Sequence, residues 1–289
     1  MKIPLFTGVC TALVTPFQDD QVNYSMLEQL LQRQIDAGIE AIVICGTTGE
    51  APTLTDDEKL TLFRRAKGYV GDACKIIAGT GSNCTAHTVA LSKAAQECGV
   101  DGLLVVTPYY NKANETGLIG HYEAVANAVE LPIILYNVPS RTGMDISVNV
   151  YRHLSVLPNI AGVKEASTDI TKIGKIRRAC GTDLPIWTGN DEQTVPVMAM
   201  GGLGVISVVS NVRPVETQAM AKAALTGDFK AASAIQMQLQ PLVDALFSEV
   251  NPIPVKEAMR LIGYDCGQCR LPLGPMDAVK KEKLARLLK

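Results

Sequence analysis

Eight apolar runs of strand length, recurring roughly every thirty residues and each followed by a turn signal and a segment of helical period, predict an α/β fold, a (β/α)8 TIM barrel. Two further observations agree. Several runs, such as Ile42-Val-Ile-Cys45 and Leu103-Leu-Val-Val106, are nearly uninterrupted by polar residues, as parallel strands covered on both faces require. The chain has 289 residues, more than the about 250 a barrel commonly needs, and from Pro214 onward only helical periodicity remains. The expected organisation is therefore a barrel over 1–213 with a C-terminal helical region over 214–289. No composition shift or low-complexity linker separates the two, so the helices should pack on the barrel.

The expected strands are 8–13, 41–45, 75–78, 102–106, 132–136, 160–164, 185–188 and 204–208. After the first, Leu27, Leu30, Leu31 and Ile35 share one helical face and Gly38 stops that helix. After the second, Thr55 and Glu58 have capping-box spacing ahead of Leu60, Leu62 and Phe63, so each side chain can satisfy an orphan amide at a helix start. Gly79-Thr-Gly-Ser-Asn83 follows the third strand and half resembles a dinucleotide loop. It lacks the third glycine and an acidic partner about 20 residues on, so a turn before a helix is the better reading. The C-terminal helices are expected over 219–224, 231–246, 255–262 and 276–288.

Composition excludes several function classes. A net charge of -2, with no basic run longer than a pair outside the last dozen residues, argues against nucleic acid. Apolar stretches end well before the ~18 residues of a membrane helix. Pro4, Thr7 and Pro16 interrupt the N-terminal apolar segment and no small-x-small cleavage pattern follows, so it reads as a first strand in a soluble, cytoplasmic protein. Of eight cysteines, six stand singly in periodic segments, as buried reduced thiols do. Cys266 and Cys269 form the only C-x-x-C and cannot complete a four-ligand zinc site. His87, His121 and His153 are scattered without metal-ligand spacing. With no P-loop, G-x-S-x-G or H-E-x-x-H either, an enzyme without metal or cofactor is expected.

Lys164 stands out. It ends the apolar run Asn159-Ile-Ala-Gly-Val-Lys164. At an ordinary lysine pKa of ~10.4 only about one amine in a few thousand carries a free lone pair at neutral pH, so a nucleophilic lysine needs partial burial. Period-two alternation puts Ile160, Gly162 and Lys164 on one strand face and Ala161, Val163 and Glu165 on the other. The competing reading is a lysine that ends a strand and reaches solvent.

In a barrel the reacting groups lie at the carboxyl ends of the strands. Here those places are polar: Gly46-Thr-Thr-Gly-Glu50, Thr107-Pro-Tyr-Tyr-Asn111 and Tyr136-Asn-Val-Pro-Ser-Arg-Thr-Gly143. A Schiff base needs a neutral amine, a carbinolamine dehydrated by proton transfer, and fixed donors for a carboxylate. Tyr136, Thr47, Tyr110 and Arg141 can fill those roles. Each also has an ordinary account: paired tyrosines anchor interfaces, Gly-Thr-Thr-Gly makes turns, and a loop arginine is solvated. Their joint occurrence at strand ends favours chemistry.

These motifs, with Gly162-Val-Lys-Glu-Ala166, Asn251-Pro-Ile-Pro-Val-Lys256 and Arg270-Leu-Pro-Leu-Gly274, resemble the dihydrodipicolinate synthase family of pyruvate-dependent Schiff-base aldolases over nearly the whole chain. The resemblance implies a pyruvate Schiff base on Lys164, attack of its enamine on L-aspartate 4-semialdehyde, and a place in diaminopimelate and lysine biosynthesis. It implies Tyr136 as proton donor and acceptor, with Thr47 and Tyr110 completing a relay. Thr48 and the Ile206 backbone would hold the pyruvate carboxylate, Arg141 would receive that of the semialdehyde, and Gly189 would line the pocket. It further implies a homotetramer of tight dimers in which Tyr110 reaches the neighbouring site. Family relatives acting on sugars, N-acetylneuraminate lyase and 2-keto-3-deoxy sugar acid aldolases, are the alternative, and Arg141 argues against them. A non-catalytic binding barrel is the remote one. At the allosteric site where lysine inhibits some members, Asn83 and Tyr109 match, but Ala51, Pro52, Asp56, Lys59 and His87 depart. Lys59 and His87 put positive or neutral groups where an amine needs acceptors, so feedback by lysine is expected to be weak or absent.

Overall fold

A computed structural model describes residues 2–289; residue 1 of the range expected for the barrel lies outside it. Eight parallel strands close into a barrel in sequence order. They are β1 Gly8–Ala12, β2 Ala41–Ile44, β3 Lys75–Gly79, β4 Gly102–Val106, β5 Ile133–Asn137, β6 Ile160–Glu165, β7 Ile186–Thr188 and β8 Gly204–Ser207. Helices follow each: α1 Tyr24–Asp36, α2 Asp56–Val70, α3 Thr85–Glu97, α4 Glu115–Ala126, α5 Val148–Ser155, α6 Thr171–Cys180, α7 Thr194–Ala199 and α8 Pro214–Leu225. Helix α8 packs on β1 and β8, in the place of the eighth barrel helix, so the helical stretch from 214 is shared between barrel and appendage. The appendage proper is α9 Phe229–Leu246, α10 Ile253–Leu261 and α11 Ala278–Leu287. A small hairpin, Phe17–Gln18 with Gln21–Val22, precedes α1; its turn needs positive φ at Asp19 and Asp20, a signal weaker than the Asn-Gly pairs that usually mark it.

Alternation along the strands separates two cores. Cys10, Val43, Ile77, Leu104, Ile134 and Ile206 fill the barrel with Phe6 and Trp187, whose rings stack at 4.6 Å. Val9, Ile42, Ile76, Leu103, Ile133 and Val163 point outward into the helix layer. At β6 the expected alternation fails in one place. The register shifts between Ile133 and Ile134, which pair with Ile160 and Gly162, so one extra residue enters β6. Ile160 consequently joins the outer core rather than sharing the face of Lys164. Gly162 keeps the inner face, where a Cβ would lie 2.6 Å from the Trp187 ring.

The C-terminal segment returns to the mouth of the barrel. Arg270 makes a bidentate pair with Glu58, Nη1 to Oε2 at 2.9 Å and Nη2 to Oε1 at 2.7 Å, and its Nη1 also donates to Thr53 O. The capping box is present in both directions, so Glu58 serves the helix start and Arg270 together. Donation from Arg270 holds the Glu58 carboxyl below the usual carboxylate range.

Candidate active site

Lys164 and Tyr136 are paired in register across β6 and β5 at their carboxyl ends. Both are buried, and Lys164 Nζ lies 4.4 Å from the centroid of the Tyr136 ring. Among the described residues no hydrogen bond or ion pair engages Nζ, so the amine is uncommitted. Gly189 is small for a visible reason: a Cβ there would sit 2.8 Å from Lys164 Cε and 2.7 Å from Ala166 Cβ.

On the outer face of the same two strands a buried polar network holds this pair in place, and the sequence reading missed it. Asn137 Nδ2 donates to Glu165 Oε1 at 2.8 Å, one residue beyond Tyr136 and Lys164. Tyr151 OH donates to Glu165 Oε2 at 2.7 Å; burial, then the adjacent Glu165 charge, pushes the phenol well above its ordinary pKa, so it stays a donor. Lys172 bonds to Asp145 and lies 3.6 Å from Glu165 Oε2. The one available signal was the charged Glu165 on the helix-facing side of a strand otherwise apolar there.

The loop after β2 is held from below. Glu50 takes a left-handed φ of 56°, which a non-glycine residue keeps only when its surroundings impose it. Its buried carboxylate accepts from Lys256 Nζ at 2.9 Å and from the Arg270 amide at 2.9 Å. That places Thr47 half-buried at the cavity and Thr48 beneath it. Asn251, also missed, ties two expected residues together: its Nδ2 donates to Thr48 Oγ1 at 2.9 Å and its carbonyl accepts from Arg141 Nη2 at 3.0 Å. Ile206 is buried inside the barrel. Just beyond it, the amides of Val208 and Val209 donate to Asp191 Oδ2 at 2.9 and 3.0 Å. Burial pushes the Asp191 carboxyl above its usual value.

A cavity of about 920 Å³ opens over this floor; its lining includes Thr47, Tyr136, Tyr110 and Arg141, together with Ala51, Lys59, Asn83, His87 and Tyr109. Lys164, Thr48 and Ile206 are buried out of its lining, with Lys164 directly against Tyr136. Tyr110 is 92 % exposed and has a φ of 70°, so it projects from the rim rather than into the floor. Lys59 Nζ and His87 Nε2 both bind Asp56, at 3.1 and 2.7 Å, and those contacts, His87 foremost, hold the Asp56 carboxyl below its usual range. All eight cysteines are free; Cys84 is exposed, against the expectation of burial, because it precedes α3 at the surface. Burial pushes the thiols of Cys266 and Cys269 up to about 12, which keeps them from acting as thiolates. A buried amine against a phenol that lines the cavity, with a hydroxyl and a guanidinium in the same lining, suits addition to a ketone beside a carboxylate.

Comparison with known proteins agrees with the barrel fold and gives the chain's family. Residues 5–289 match the model of the dihydrodipicolinate synthetase family. The 4-hydroxy-tetrahydrodipicolinate synthase of Caldicellulosiruptor saccharolyticus is 47% identical over 287 residues, spanning 99% of this chain and 97% of that one. The crystal structure of dihydrodipicolinate synthase from Aquifex aeolicus superposes with a TM-score of 0.96 at 43% identity, over 98% of this chain and 97% of that one. A structure of the enzyme from Cyanidioschyzon merolae with lysine bound superposes equally well, 0.96 at 39% identity over 99% and 98%.

Proposed function

Because this chain belongs to the dihydrodipicolinate synthetase family, we propose that Lys164 and Tyr136 carry its chemistry. The protein is a lyase with 4-hydroxy-tetrahydrodipicolinate synthase activity, acting in diaminopimelate and lysine biosynthesis. Lys164 Nζ adds to the ketone carbon of pyruvate, and the carbinolamine loses water to give the iminium. Loss of a methyl proton gives the enamine, whose carbon attacks the aldehyde of L-aspartate 4-semialdehyde; the substrate amine then closes on the iminium carbon and releases Lys164. Tyr136 moves the protons of the dehydration, with Thr47 and Tyr110 relaying them. Thr48 and the Ile206 backbone hold the pyruvate carboxylate and Gly189 leaves room for the lysine. Arg141, whose planar fork suits a carboxylate, receives the second substrate. No metal or cofactor enters this scheme.

The observation that carries the proposal is the buried, uncommitted Lys164 amine against the Tyr136 ring at the carboxyl end of the barrel. A cytoplasmic homotetramer built from tight dimers is part of the same proposal; no described helix is long and apolar enough to cross a membrane. The test is to incubate the protein with pyruvate and borohydride and map the reduced adduct by mass spectrometry. Unreduced samples then receive aspartate semialdehyde or N-acetylmannosamine while pyruvate consumption is followed. The expected result is an adduct at Lys164 and turnover of the semialdehyde alone. Turnover of the sugar would make the protein a lyase of the related kind, and no adduct would remove the mechanism.

A further inference from the structure

The cavity lining contains no aspartate or glutamate among the described residues, but it contains Lys59, His87, Lys112 and Arg141. Two of these are already engaged, since Lys59 and His87 share Asp56. Arg141 donates only to a backbone carbonyl, and Lys112 has no hydrogen bond or ion pair among the described residues. Lys112 is nonetheless held in place. Its segment carries two left-handed residues, Tyr110 at 70° and Lys112 at 22°. Asn111 Nδ2 ties it to Asn83 O at 2.9 Å, and the Ala113 amide ties it to Met144 Sδ at 3.2 Å. The Lys112 stem lies on Gly143, where a Cβ would come within 2.9 Å of Cε and 3.4 Å of Nζ. Gly143 is two residues beyond Arg141, and Lys112 and Arg141 line the same cavity.

We propose that Lys112 is a specificity-determining residue: with Arg141 it captures the carboxylate of the incoming aldehyde, selecting an acidic aldehyde over a neutral one. The proposal rests on the condensation described above. That reaction brings two carboxylates into one cavity, the pyruvate carboxylate near Thr48 and Ile206 and the second at the mouth. A carboxylate at the mouth meets two cations with no competing anion, and opposite charge across an open cleft also speeds encounter.

The test compares Lys112→Met and Lys112→Arg with the unmodified protein in steady-state assays at low and raised ionic strength. For Lys112→Met the KM of aspartate semialdehyde should rise roughly three- to tenfold, the range of a charge-assisted contact in a half-open site, while the KM of pyruvate changes less than about twofold. Lys112→Arg should recover most of the loss, and added salt should shrink the difference. An unchanged aldehyde KM at low salt, or an equal rise for both substrates, would overturn the proposal. Borohydride trapping with pyruvate alone separates this from the underlying mechanism, because an adduct in the unmodified protein keeps the mechanism whatever Lys112 does. Were there no adduct, succinate binding by calorimetry would decide. Affinity roughly threefold or more weaker in Lys112→Met supports anion capture, and equal affinity overturns it.

Discussion

At Lys59 and His87 the side chains that border the cavity are already bound, both to Asp56, so neither presents a free acceptor to an amine. An ammonium ligand there would meet one cation and one imidazole whose carboxylate partner is shared, and it would have to displace one of them. L-Lysine at about 1 mM, a concentration that would saturate any site of useful affinity, should therefore slow turnover by less than about twofold. Half-inhibition well below that concentration in a steady-state assay would refute this. Lys164 and Arg141 could be singled out from sequence because their residue types are unusual or well suited where they stand. Asn251 could not, because an asparagine before a proline carries no mark of the Thr48 hydroxyl it meets 203 residues away.

The element that organises the site is the loop after β2, and its anchor is the Glu50–Lys256 pair, with side chains 0 % and 2 % exposed. Lys256 also donates to Gln268 O, so one ammonium joins the loop, α10 and the segment leading to Arg270. Removing one partner of such a pair leaves a buried charge unpaired and costs roughly 3–5 kcal/mol. Lys256→Met should lower the free energy of unfolding by that order in denaturant titration and reduce activity through Thr47 and Thr48; a loss below about 1 kcal/mol would show the pair to be dispensable. The Thr55–Glu58 capping box was legible because both residues lie within one helical turn. The Arg270 contact on the same Glu58 was not, since 212 residues separate them.

For the whole molecule, the exposed Tyr110 is the point at which one chain fails to account for its own site. A tyrosine expected in a proton relay but 92 % exposed at the rim needs a second surface to lie against, and the proposed tight dimer would supply it. Specific activity should fall on dilution through the dimer–monomer equilibrium, followed by sedimentation and initial rates together. A fully active, isolated monomer would contradict the dimer requirement.

By itself the sequence determined the eight βα units, the C-terminal helices and the position of Lys164 at a strand end, because these rest on local periodicity: burial on both faces makes an apolar run, and one helical face makes a 3.6-residue repeat. Only the tertiary structure decided that β6 carries an extra residue and turns Ile160 outward, that Glu165 bolts the strands beneath Lys164 and Tyr136, and that residues 251, 256 and 270 come back to the mouth of the barrel. Those facts depend on how a closed barrel brings distant segments together. A side chain's own neighbours in sequence carry no record of the partner it meets across that closure.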